Sequence, residues 1–286
     1  MRGLAEYIMS GRRQAVISAV LVGLIPILNL LSASIVALVI LRRGLQAGLM
    51  VLLWALLPAA LRWVSGDTTV AFALVAMVPL AYLLRSTGSW PRVILAATAL
   101  GFALQLSLDW QVTYVESLRE AVGELLTMMQ SQGASPMLLQ DGELVPATAE
   151  GFTERLLSYY GAYHALVFIV VLIVARYYQA MLYNPGGFRA EFHALRLDTR
   201  VMLALFALVL GGLAGVAGLE DWVILLCLAP ILTGLAVTHA MVADRKAGTL
   251  WLVLAYVVLL VAPHVLVMLG FADSVVDFRR RYKRTI

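Results

Sequence analysis

Apolar runs recur from Gln14 to Phe278, most of them close to the length of a bilayer-crossing helix, and they decide what this chain can become. A spanning α-helix needs roughly 20 mostly apolar residues, because hydrocarbon offers no partner to an unpaired backbone group. Hydrophobic residues make up 62% of the chain and charged residues 13%, with a mean hydropathy of +0.90, so the bilayer is the solvent for most of the fold. A soluble protein is excluded on these grounds. The expected architecture is one all-α, polytopic transmembrane bundle over 1–286, with a single long polar insertion at 111–158.

The two terminal runs are too long for one span each. The first, 14–41, is interrupted by Pro26 and by the polar Asn29, Ser32 and Ser34. A hairpin turning near Leu28 to Leu31 keeps Arg12-Arg13 and Arg42-Arg43 on one side of the membrane, as the inward bias of Lys and Arg requires. The last run, 249–278, carries Pro263 and ends in Arg279-Arg280-Arg281-Tyr282-Lys283-Arg284, and a fold-back at 263–269 would return that tail to the cytoplasm. Between them, spans are expected at 45–64, 69–84, 93–110, 159–178, 201–217 and 222–241. With both ends folded back, all but Arg62, Arg119 and Arg155 of the 21 Lys and Arg lie inside. This predicts about eight to ten membrane segments, broken or short at both ends, with both termini cytoplasmic. The basic start, 1–13, has no convincing cleavage site after it and is expected to be retained. The net charge of +4 and pI near 9.3 come from residues flanking the spans, which orients the protein and argues against nucleic acid as a partner.

The insertion should lie on the outer, periplasmic side. Val115, Leu118, Val122, Leu125, Leu126 and Met129 recur at helical spacing opposite Glu116, Arg119, Glu120 and Glu124. That pattern predicts an amphipathic helix serving as a lid, its apolar stripe on the bundle or in the headgroups. Asp141-Gly142 is placed to turn a small hairpin, and a second helix should start at 148–151 and run into the span at 159.

Signatures of chemistry are missing: there is no phosphate-binding loop, no His-Glu-x-x-His, no paired cysteines and no Gly-x-Ser-x-Gly elbow. The chain is therefore expected to be non-enzymatic and without a cofactor. His164, His193, His239 and His264 are scattered over different segments, which argues against a metal. Arg62, Gln105, Asp109 and His164, with Asp67, fall at or just below the outer boundary and could line an outward-opening pocket for a small solute. Alternatively Arg62 and Asp109 snorkel, Asp67 caps the following helix and His164 hydrogen-bonds a neighbour.

The connector 183–200 is expected to be cytoplasmic. Asn184-Pro185-Gly186-Gly187 makes a turn, after which Phe188, Phe192 and Leu195 share one helical face and Arg189, Glu191, Arg196 and Arg200 take the wetter ones. Such a helix either meets anionic headgroups or docks a partner subunit through Phe188, Arg189, Phe192 and Arg196. Small residues at Gly211, Ala214, Gly215, Ala217 and Gly218, at Ala15 and Ala19, and at Ala33 and Ala37 offer close helix packing.

Three stretches carry a resemblance. The sequence from Asn184 to Leu197, Leu41-Arg42-Arg43-Gly44 followed by Ala47-Gly48, and Leu269 to Ser274 leading to Asp277-Phe278-Arg279-Arg280 resemble the proteobacterial branch of the YybS-like family of predicted bacterial inner-membrane proteins, a domain of unknown function. That family is more distantly similar to the substrate-binding components of energy-coupling-factor transporters and to the cell-shape protein MreD. The resemblance implies a bacterial inner-membrane location. The leading expectation it implies is a small-solute-binding transporter component, docked through an Ala-x-x-x-Ala strip that Ala15 and Ala19 fit; the alternative is a non-enzymatic membrane scaffold of the MreD type.

Overall fold

The computed structural model describes residues 2–140 and 143–283; it is 82% helix, with 15 α-helices among the described residues. The chain opens with α1 (Arg2–Ser10), α2 (Arg12–Leu24) and α3 (Asn29–Arg43). Helix breaks at 25–28, which contains Pro26, so the turn falls just ahead of the expected 28–31. α2 folds back against α3, and the Ser32 hydroxyl donates to the Ala19 carbonyl at 2.9 Å. Ser34 donates to the Val171 carbonyl at 3.1 Å. These polar groups inside an apolar run are thus bonded to backbone of neighbouring helices, which removes the cost of burying them.

Every residue from Ser32 to Leu41 is buried, because α3 runs through the middle of the bundle. It is surrounded by α2, α4 (Leu45–Val64), α5 (Thr69–Thr87) and α9 (Tyr160–Tyr183). Ala15, Ala19, Ala33 and Ala37 are all fully buried there. The Ala15 and Ala19 strip is therefore internal packing and offers no face to a coupling subunit, a correction to the implied use. α6 (Trp90–Leu106) crosses α9 where Gly101 meets Gly161: a Cβ on either would lie 2.4 Å from the other's carbonyl oxygen.

Helices α4 and α5, α9, and the stretch Glu220–Asp244 that includes α12 (Val223–Asp244) are long and apolar enough to cross a membrane. α13 (Leu250–Val261) and α14 (Pro263–Val276) count as a fifth span if taken together, but their axes bend by 112°. The fold-back expected at 263–269 begins earlier, at Ala262, because Pro263 cannot donate to the preceding turn and instead starts a new helix. α14 then lies against α12, and α13 buries only Ala255. The span expected at 201–217 is α11 (Thr199–Leu213), which stops short. Gly215 and Gly218 have φ of +75° and +82°, so they form a left-handed turn and not the small-residue strip.

The insertion consists of α7 (Val112–Ser131), a hairpin of β1 (Met137–Gln140) and β2 (Glu143–Pro146), and α8 (Ala149–Leu157). The expected turn residues Asp141 and Gly142 lie outside the described residues. Thr148 caps α8 by accepting from the Gly151 amide at 3.1 Å. Val122 and Leu126 pack with Ala147, Leu138 and Phe152, so part of the α7 stripe is spent on a small core of the insertion's own instead of on the bundle or the headgroups.

The arginines of α10 (Gly187–His193), the short helix of the connector, and of the 279–280 region all lie at one end of the bundle, and the insertion lies at the other.

Candidate functional site

At the arginine-rich end, the last carbonyls of α3 have no intrahelical partner. Arg85 supplies one, donating to the Leu41 carbonyl at 2.6 Å, and Gln179 donates to the same oxygen at 3.2 Å. The neighbouring Arg42 lies over the Tyr183 ring at 4.0 Å. Next to them, Glu191 of α10 accepts from Arg176 Nε at 2.9 Å and from Trp90 Nε1 at 3.1 Å, with a second bond from Arg176 Nη2 closing a two-pronged pair. Burial alone would raise the Glu191 carboxyl, but the bonds from Arg176 and Trp90 outweigh it and hold the group below its ordinary range.

A second clasp joins the connector to the far end of the sequence. Arg279 donates to Asp273 at 2.5 Å and to the carbonyls of His193 and Leu195 at 2.8 and 2.9 Å. Arg196 donates to Asp277 at 2.6 Å and to the Ser274 carbonyl at 2.9 Å, and Thr199 bonds the same carbonyl at 2.8 Å. Asp277 can close this clasp because it ends α14 in the left-handed region, at φ +53°. The three stretches that carry the family resemblance therefore meet in one platform. Open clefts of about 620 Å³ and 450 Å³ lie on it, one walled by Arg196, Arg279 and Arg280 and the other by Arg189, His239 and Lys246, with His193 on both.

This geometry corrects the faces expected of the connector helix. Glu191 and Arg196 are half-buried and engaged in ion pairs within the chain. Phe188 packs edge-on against Trp90 at 6.0 Å and lies 6.1 Å from Phe192, whose ring meets His239 at 5.3 Å. Of the four expected docking residues, Arg189 is exposed and the other three are engaged within the chain.

At the insertion end, the four expected ligand residues divide. Arg62 pairs with Asp67 at 3.4 Å, and Asp67 accepts from the Thr69 amide at 3.1 Å, capping α5. Gln105 bridges two helices, donating to the Leu157 carbonyl at 2.9 Å and accepting from the Gly161 amide at 2.8 Å. Asp109 is exposed in a tight helical turn, Leu108–Trp110. His164 is fully buried; its Nδ1 lies 2.9 Å from the Tyr160 carbonyl, and its Nε2 has no hydrogen-bond partner among the described residues. Beside it Tyr160 donates to Gln111 at 2.8 Å. Across the ring, the Tyr114 phenol of α7 is pushed up to about 12 by burial and by Tyr160, Tyr163 and Asp67. Among the described residues no group of three or more His, Cys, Asp or Glu side chains is placed to hold a metal ion.

Because Gln105 closes both bonds to backbone, Gln105→Leu is expected to cost about 1–3 kcal/mol, read as a lower melting temperature in detergent. Asp109→Asn should stay within about 0.5 kcal/mol of the wild type, since its side chain is solvated. Equal effects would contradict this assignment of roles.

Trp90, Arg176, Asp273 and Arg279 had no expected role in a site. Asp273 alone carried a local signal, a carboxylate inside an apolar run, which in a membrane protein asks for a partner. The fold and its apolar exterior define the class, a helical protein embedded in a membrane. Compared with protein-family models, curated proteins and solved structures, the chain matches none.

Proposed function

We propose that this chain is a non-enzymatic scaffold of the bacterial inner membrane, of the MreD type, which docks a cytoplasmic or membrane partner on its arginine-rich platform. In this reading the platform and both termini are cytoplasmic, the insertion is periplasmic, and about ten segments enter the bilayer, with α2, α3, α13 and α14 the short ones. The observation that supports it is the double clasp: ion pairs fix three distant stretches into one rigid surface that leaves Arg189, Arg200 and Lys246 exposed. Rigid presentation lowers the cost of ordering a surface on binding.

The docking test is photo-crosslinking in native membranes from a probe at Ala190 or Ala194, both exposed beside Arg189. One specific adduct is expected from these positions, lost on Arg189→Glu, and none from a probe at the exposed Leu144 of the insertion. Adducts from Leu144 only would reverse the assignment of faces.

The runner-up, a small-solute-binding component like those of energy-coupling-factor transporters, draws support from the unpartnered His164 Nε2. A vitamin, amino-acid and nucleoside panel decides it. A solute that raises the melting temperature of the wild type but not of His164→Ala or Arg62→Ala would replace the scaffold reading.

A further inference from the structure

The cleft of about 450 Å³ beside α10 differs from its surroundings in charge and in what it opens onto. Its polar lining comes from Arg189, His193, His239 and Lys246, with Thr249 and Leu252 contributed by the start of α13. The base is fixed: His239 is held between the Phe192 ring and the Tyr256 hydroxyl, 3.1 Å from its Nε2. Lys246 stands on a left-handed turn after α12, at φ +52°. Nearby carboxylates are committed or face the other cleft: Asp273 pairs with Arg279 and Asp277 with Arg196, and Asp244 lines the neighbouring cleft of about 620 Å³ beside Arg280. His193 registers the resulting field: burial first, then Arg189, His239 and Arg279, hold its imidazole below the usual value against the opposing pull of Asp244.

The cleft's other boundary is apolar. α13 turns Leu250, Trp251, Val253, Leu254 and Val257 outward, with Leu250 78% and Trp251 59% exposed. An anion in this cleft would thus sit at the foot of a lipid-facing helix, with an indole at the level where aromatic rings favour the membrane interface. Basic pockets between membrane helices are suited to phosphate-bearing headgroups.

We propose that the Arg189, His193, His239 and Lys246 cleft binds the phosphate of an anionic phospholipid, whose acyl chains lie along the exposed face of α13. The shared chemistry is that of a phosphate anion, and continuity with α13 favours the lipid over free phosphate. This requires only that the chain sits in a bilayer, so it stands or falls separately from partner docking on the same platform.

The experiment uses the full-length chain purified in phosphate-free detergent and titrated with phosphatidylglycerol, phosphatidylcholine or inorganic phosphate. Bound lipid is counted by native mass spectrometry, and stabilisation is read as a melting-temperature shift. Phosphatidylglycerol is expected to be retained over phosphatidylcholine. Arg189→Ala and Lys246→Ala should each weaken it roughly fivefold, and the pair about thirtyfold, from about 1 kcal/mol for each basic side chain near a lipid surface. The charge-matched Arg12→Ala with Arg119→Ala should leave it unchanged. Trp251→Ala should weaken the lipid if its chains follow α13. Three results would overturn the proposal: no preference over phosphatidylcholine, equal loss in the charge-matched control, or inorganic phosphate stabilising the protein at the same concentration as the lipid. Should the double variant unfold, Arg189→Gln and Lys246→Gln singly carry the same comparison.

Discussion

Asp273→Ala is expected to cost about 3–5 kcal/mol, the largest loss from any single ion-pair change among the described residues. Asp273 is 1% exposed and Arg279 is 12% exposed, so removing the carboxylate leaves a guanidinium out of water with only the His193 and Leu195 carbonyls for company. Arg279→Met should be damaging for the reciprocal reason and because it frees those two carbonyls. The double change Asp273→Leu with Arg279→Met should cost less than either single one, because no uncompensated charge remains. By contrast Asp277→Asn, which tolerates the left-handed backbone, breaks a pair whose side chains are 27% and 31% exposed, and water takes over much of what is lost, to within about 1 kcal/mol. Thermal unfolding of the four variants in one detergent reads the order directly. If Asp273→Ala were as mild as Asp277→Asn, the clasp would not be holding the C-terminal helices to the connector. Raising the salt should weaken the exposed pair and leave the buried one nearly unaffected.

Gly234→Ala and Gly270→Ala are expected to be nearly as severe, although each adds one methyl group. A Cβ on Gly234 would stand 2.1 Å from the Leu266 carbonyl oxygen, and one on Gly270 would stand 2.1 Å from that of Pro230. Backbone cannot swing aside as a side chain does, so α12 and α14 would have to separate, with a loss of about 3 kcal/mol or more. Because the two glycines serve one crossing, the double variant should cost less than the sum: helices already parted by the first methyl admit the second. Gly248→Ala, which meets nothing within 4 Å, should stay within about 0.5 kcal/mol of the wild type. Melting temperatures that failed to separate Gly270→Ala from Gly248→Ala would mean that the crossing is looser than these distances.

Hydropathy located what depends on hydropathy. The span expected at 45–64 is α4 residue for residue, and the breaks near Pro26 and Pro263 were visible because proline removes a donor wherever it falls. Positions that depend on partners far along the chain were misplaced. Glu191 looked like a solvated acid beside Arg189, since Trp90 is 101 residues away, and Arg196 looked equally wet because Asp277 is 81 residues away. Gly211, Gly215 and Gly218 resembled a packing strip, as spacing does not tell a glycine inside a helix from one that ends it. At the insertion end the four residues expected to share a pocket divide among separate roles. Whether Gln105 holds a ligand or two helices is decided by the approach of Gly101 to Gly161, which no local pattern encodes.

The short outer helices have a consequence for the surrounding membrane. α11 and α13, with 15 and 12 residues, extend about 22 and 18 Å along their axes, whereas α9 and α12, with 24 and 22 residues, extend about 36 and 33 Å. The hydrocarbon layer is about 30 Å thick, so one molecule presents a full-height wall on some sides and a low one beside α11 and α13. Lipids along the low wall have to tilt or shorten, at fractions of a kcal/mol per Å of mismatch. Two copies that turn their low walls together share one dimple instead of making two. If α11 and α13 face lipid, bilayer elasticity would favour thinner membrane on that side of the molecule.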